Sequence, residues 1–134
     1  MPLSRDHQDY APIPQREIDA LTPLVARLAE LDHGVEQAGP WDASLWRELT
    51  SQGAHAWTVP QAFGGEGASR STLLHRYARV AEGSMTAALV LTQHDAAVRR
   101  IVAAWELGNV QPAQRWLGPI ARAEVLATVG ISQL

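Results

Sequence analysis

The sequence predicts an all-α helical bundle that ends on the first strand of a β domain cut short. Three observations predict it. Apolar residues recur at spacings of three and four between residues 16 and 122. Alanine is frequent and β-branched residues are modest before position 125, which favours helix. From Glu124 the apolar period changes from that of a helix to that of a strand.

Residues 1–15 hold three prolines and few large apolar side chains, and read as an irregular arm. From Arg16 a stripe of Ile18, Leu21, Val25, Leu28 and Leu31 predicts the first helix, with Gly34 as its stop. Gly39-Pro40 breaks the chain again. Asp42 suits the cap of a short helix with Leu45, Trp46 and Leu49 on one face and Gly53 as the residue after its end. Ser69 or Ser71 opens a third helix, with Leu73, Leu74, Tyr77, Val80 and Ala81 facing inward and Gly83 at its end. Ser84 caps the longest helix, about 85–107, whose first half, MTAALVLTQ, is apolar nearly all round and so reads as buried on most sides. Gly108-Asn109 ends it, and Asn109 suits the cap of a last helix, about 110–121, with Pro112 in its first turn.

After Glu124, Val125, Ala127, Val129 and Ile131 point one way and Leu126, Thr128, Gly130 and Ser132 the other. A lone strand leaves its N–H and C=O groups open. The expected organisation is an arm at 1–15, a helical domain at 16–122 and the start of a β domain at 123–134. The 134 residues therefore read as the front of a longer protein.

Between the second and third helices lies WTVPQAFGGEG, residues 57–67. Pro60 fixes its own φ and pushes Val59 out of the α region. Gly64, Gly65 and Gly67 reach positive φ without steric cost. No GK[ST] follows the glycines and no strand with GxGxxG precedes a helix, so P-loop and dinucleotide-fold readings fail. The segment reads as a connector that redirects the chain.

Composition narrows function further. Net charge is −3 with acids and bases interspersed, so there is no basic patch for nucleic acid. No run of 18 apolar residues exists to span a membrane, and the N-terminus lacks a signal-peptide core. The chain has no cysteine, hence no disulfide, thiolate metal site or cysteine nucleophile, and a cytoplasmic setting is expected. The five histidines never fall at i,i+3 or i,i+4, so no helical metal site is encoded. There is no G-x-S-x-G elbow. Arg70, Arg76, Arg79, Arg99 and Arg100 read as solvated faces or ion pairs, with a ligand phosphate or a neighbouring subunit as the alternative. Trp105 and Trp116 read as packing residues.

Three stretches together resemble the N-terminal region of the acyl-CoA dehydrogenase family, over roughly residues 16–134. They are LWRELTSQGAHAWTVPQAFGGEGAS, RYARVAEGSMTAALVLTQHDAAV and WLGPIARAEVLATVGISQL. The second is similar to the family's long buried helix with a central His, and the third to its passage into the middle β domain. The resemblance implies FAD-dependent oxidation of an acyl-CoA, with a carboxylate base in a C-terminal domain not present here. No acid of this chain is assigned as catalytic. The family's flavin-contacting strand, [YF]-x-[LVM]-T-E-P, falls on residues 129–134, where Val129 replaces the aromatic and Gln133-Leu134 replaces Glu-Pro. The resemblance thus places Val129, Ile131 and Ser132 at the flavin, with Ser132 keeping the hydroxyl. It also implies that the long helix lines the acyl-chain pocket, through Leu91, Thr92 and Asp95, with His94 as a titratable group there; core packing is the alternative for Leu89, Leu91 and His94. Further implications are an acyl-CoA partner, a homo-oligomeric parent, and little activity or FAD retention for this chain alone. A flavin-dependent monooxygenase of the same fold and a non-catalytic helical module both remain open.

Overall fold

The computed structural model describes residues 12–38 and 43–130, with side chains described over the same ranges except 33–38. Among the described residues there are six helices and no strand: α1 (Gln15–Ala20), α2 (Thr22–Ala38), α3 (Ala43–Ser51), α4 (Arg70–Gly83), α5 (Met85–Glu106) and α6 (Gln111–Ala121). Two short 3₁₀ turns, Ala54–Ala56 and Gln61–Phe63, shape the connector between α3 and α4.

Two cores result, and α5 belongs to both. The first gathers Leu24 and Leu28 of α2, Leu45 and Leu49 of α3, Trp57, Leu73 and Val80 of α4, and Leu91 of α5. Each fully buried leucine contributes about 1.5–3 kcal/mol of transfer free energy. The second joins Val59 of the connector, Val98 of α5, and Ala113, Leu117 and Ile120 of α6.

Both predicted serine caps form. Ser69 Oγ accepts from the Thr72 N–H at 3.2 Å, and Ser84 Oγ accepts from the Ala87 N–H at 3.0 Å. The Ser84 hydroxyl also donates to Asp32 Oδ1 at 3.1 Å, so one side chain both starts α5 and ties it to α2. Gly83 ends α4 as expected and has a second role. A Cβ there would lie 2.5 Å from the Val25 carbonyl oxygen, so its hydrogen lets α4 approach α2 closely.

Several expectations need correction. The first predicted helix is two, with Leu21 outside both, and α2 continues past Gly34 to Ala38. Leu24, absent from the predicted stripe, is fully buried, whereas Leu74 is 61% exposed. The α5 start is not enclosed: Met85 and Leu89 are 70% and 61% exposed. Val110, not Asn109, precedes α6. The expected caps at Asp42 and the arm over residues 1–11 lie outside the described residues.

Residues 125–130 carry no strand pairing. The predicted alternation survives in their packing: Val125 and Ala127 lie against the second core, while Thr128 and Gly130 are exposed. A ladder needs a neighbouring strand to exchange N–H and C=O bonds, and the described residues supply none.

Candidate functional site

The connector is self-contained. The consecutive N–H groups of Phe63, Gly64, Gly65, Glu66, Gly67 and Ala68 all donate to carbonyls of residues 56–61. Gly64 and Gly67 take φ of +90° and +61°, and a Cβ on Gly65 would lie 2.1 Å from the Val59 carbonyl oxygen. The glycines therefore fold the loop onto itself, and those N–H donors are not free for a phosphate.

The loop is clamped to the bundle by polar groups on α5. The Thr58 hydroxyl donates to Asp95 Oδ1 at 3.0 Å, and the Tyr77 hydroxyl of α4 donates to Asp95 Oδ2. One buried carboxylate thus joins α4, α5 and the connector. Burial raises the Asp95 carboxyl above its ordinary value, opposed by the two hydroxyl donors. Burial, reinforced by Asp95, pushes the Tyr77 hydroxyl upward as well.

His94, one residue earlier, has both ring nitrogens committed. Ala127 N–H donates to Nδ1 at 3.1 Å, which makes Nδ1 the bare nitrogen, so Nε2–H donates to the His55 carbonyl at 3.0 Å. His55 Nε2 in turn meets the Ala121 carbonyl oxygen at 3.0 Å. Burial lowers the His94 pKa, which agrees with a neutral imidazole. The two histidines bracket the end of α6 and the segment after it onto α5.

That bracket shapes a cavity of about 470 Å³ between α5, α6 and residues 125–130, walled by Ala97, Ile101, Trp116, Ile120 and Val129, with Arg100 as the one cation among the described lining residues. A second cleft, about 440 Å³, lies on another side of α5, between the connector and α4. Thr58, Arg70, Leu73, Arg99, Val102 and Glu106 are among its walls.

The family model of the acyl-CoA dehydrogenase N-terminal domain matches residues 20–124. The chain belongs to the acyl-CoA dehydrogenase family. No curated protein and no solved structure compared with the chain matches it. The matched domain ends at the start of the segment that His94 holds.

The residues expected to serve an acyl-CoA dehydrogenase site fall into three groups. Val129 lines the first cavity. Ile131 and Ser132 lie outside the described residues. Leu91 is fully buried in the first core and His94 and Asp95 are buried as braces, so none of these three lines either cavity. Thr92 is half-buried, and its hydroxyl donates to the Leu89 carbonyl at 2.9 Å.

The first cavity fits only part of the family's cofactor. Its apolar walls suit a flat ring or an aliphatic chain, but one arginine and a closed glycine loop make no cradle for a diphosphate. The described residues do not hold a whole FAD.

Sequence reasoning missed the second cleft and the clamp. Thr58, a lone hydroxyl within the apolar stretch Trp57–Val59, was the available signal. A buried hydroxyl demands a partner, yet that partner, Asp95, is 37 residues away.

Proposed function

We propose that this chain acts as the helical N-terminal wall of an acyl-CoA dehydrogenase-like flavoprotein, a cytoplasmic homo-oligomer that oxidises an acyl-CoA with FAD. The observation that carries the proposal is the His94–Ala127 hydrogen bond. It fixes the backbone two residues before Val129, so Val129 enters an apolar cavity beside Ile101, Trp116 and Ile120. In this reading Val129 and Ile131 border the flavin ring and exclude water from it, and the Ser132 hydroxyl hydrogen-bonds its edge. FAD, when bound, supplies the hydride-accepting chemistry. The base and the diphosphate contacts come from residues outside this chain.

The open face of α5 carries the acyl side of the proposal. Thr92 forms part of that wall. Leu91, His94 and Asp95 support it from behind: Leu91 by filling the core, His94 and Asp95 by fixing the segments on either side of α5.

Reading the gene beyond codon 134 and assaying its whole product tests the proposal. The expected frame continues into a β domain and a second helical domain. The expected protein is yellow, and excess acyl-CoA bleaches its flavin in the absence of oxygen. The 134-residue chain alone turns over no acyl-CoA. A full product that binds no flavin, or a 134-residue chain that oxidises acyl-CoA unaided, overturns the reading.

A further inference from the structure

The wall just described makes no use of the second cleft, and that cleft carries two exposed arginines that stand outside the ion pairs of the described residues. We propose that it is a binding site for a short aliphatic carboxylate. Its volume of about 440 Å³ lies in the range of small-molecule sites.

The argument starts from Arg70 and Arg99. The arginines in ion pairs among the described residues are Arg27, Arg76, Arg79 and Arg122, and neither cleft arginine is among them. Arg70 is the first residue of the 14-residue α4, where the helix dipole already presents positive charge and disfavours a cation. An anion at that place is attracted by both. Arg99 acts on the Tyr77 hydroxyl through hydrogen bonding and charge, and on Asp95 through charge. Both Asp95 oxygens, however, already accept hydroxyl donors, from Thr58 and Tyr77. The buried acid is thus satisfied by other groups, and the Arg99 guanidinium, with five N–H donors, has more of them than Tyr77 takes up.

The remaining lining selects the anion. Glu106 is the single acid among the described lining residues, so two cations face one acid there and the cleft suits a single negative charge. Ala68, Leu73, Val102 and Ala103 supply an apolar surface for a short carbon stem. Guanidinium groups match a planar carboxylate through paired N–H bonds. A phosphate dianion has no stem to bury and meets Glu106 with a second charge. The same chemistry is offered by a free short-chain acid and by the far carboxylate of a dicarboxylic acyl thioester. The site does not depend on the flavin reading, because nothing in it touches the first cavity's lining.

The test is a ¹H–¹⁵N NMR titration of the chain with butyrate, run beside inorganic phosphate, n-butylamine and the N-acetylcysteamine monothioester of glutaric acid. Butyrate is expected to move the Arg70 and Arg99 side-chain resonances and the backbone resonances of Ala68 and Leu73. Arg70→Gln with Arg99→Gln is expected to weaken binding about tenfold or more, since it removes both charge-assisted partners. Glu106→Gln has the opposite expected sign and tightens it. The spectra report folding of each variant directly. Tighter binding of either the thioester or the free acid, with the arginine dependence kept, supports the site and identifies its source. Binding that ignores the arginine substitutions, phosphate binding tighter than butyrate, or competition by n-butylamine overturns the proposal.

Discussion

His94 shows how one side chain can organise a site without lining it. Its two nitrogens face a carbonyl and an N–H, and only a neutral ring with its proton on Nε2 serves both. Protonation of Nδ1 would set two donors against each other at Ala127. The linkage follows from the lowered pKa. An unfolded imidazole takes its proton near 6.5, the folded one only at lower pH, so His94 favours the folded state fully above that value and progressively less below it. Asp95 works in the opposite sense. Its raised pKa keeps the folded carboxyl protonated above the unfolded value of 3.8, so its contribution is largest in acid and declines as pH rises. His94→Gln separates the two, because glutamine offers one donor and one acceptor and does not titrate. Denaturant unfolding between pH 7 and about pH 5 is expected to show the wild type losing more stability than the variant. Equal losses would mean that His94 does not set the acid response. The sequence singled out His94 as a titratable group in an apolar helix, and that much was sound. Its partners at residues 55 and 127 could not be read, because they meet it only after three separate segments converge.

Among the elements, those whose ends are set by local chemistry were the most legible. Ser69 and Ser84 bond to N–H groups three residues on, an interaction that sequence distance alone encodes. Leu74 was misassigned because inward and outward positions on α4 depend on where α2 and α5 lie, which the helical period does not specify. The glycines of the connector were correctly read as a turn, but not which of them is sterically forced. Gly65 is the forced one: its Cβ would lie 2.1 Å from backbone oxygen and 2.6 Å from the Val59 carbonyl carbon, neither of which is the free end of a side chain. Gly118, inside α6, is a milder case: beyond its chain neighbours a Cβ there meets the flexible Arg122 guanidinium at 3.3 Å, and Pro119 follows it. Gly65→Ala is therefore expected to destabilise the fold by about 1–3 kcal/mol as an overpacked site. Gly118→Ala is expected to change stability by less than about 1 kcal/mol, because the Pro119 ring crowds a Cβ on the helical residue before it and offsets the gain in helix propensity. Chemical denaturation of both variants measures the pair, and a stabilising Gly65→Ala would contradict the close approach.

At the scale of the whole molecule, α5 is the shared beam of two unequal cores. The first draws on α2, α3, α4 and the start of α5. The second is smaller, and among the described residues α6 packs mainly on α5 and the connector. Helices held by one small core open more readily than the rest. Residues 111–130 are thus expected to open as a unit while α2 to α5 stay folded. Leu28 and Leu117 are both fully buried, and truncating either to alanine costs about 2–5 kcal/mol. The consequences differ by location. Leu117→Ala is expected to lower hydrogen-exchange protection in α6 and the following segment while leaving α2 amides unchanged. Leu28→Ala is expected to lower protection throughout, because α6 has no core once α5 is lost. Equal loss in α2 and α6 from Leu117→Ala would show a single cooperative unit instead. The difference bears on function, since Trp116, Ile120 and Val129 of the proposed flavin wall lie on the less stable side. There the His94 bond to Ala127 and the His55 bond to Ala121 join the apolar packing of Ala121, Val125 and Ala127 in holding residues 121–127 against α5 and the connector, so the order of the wall depends on both.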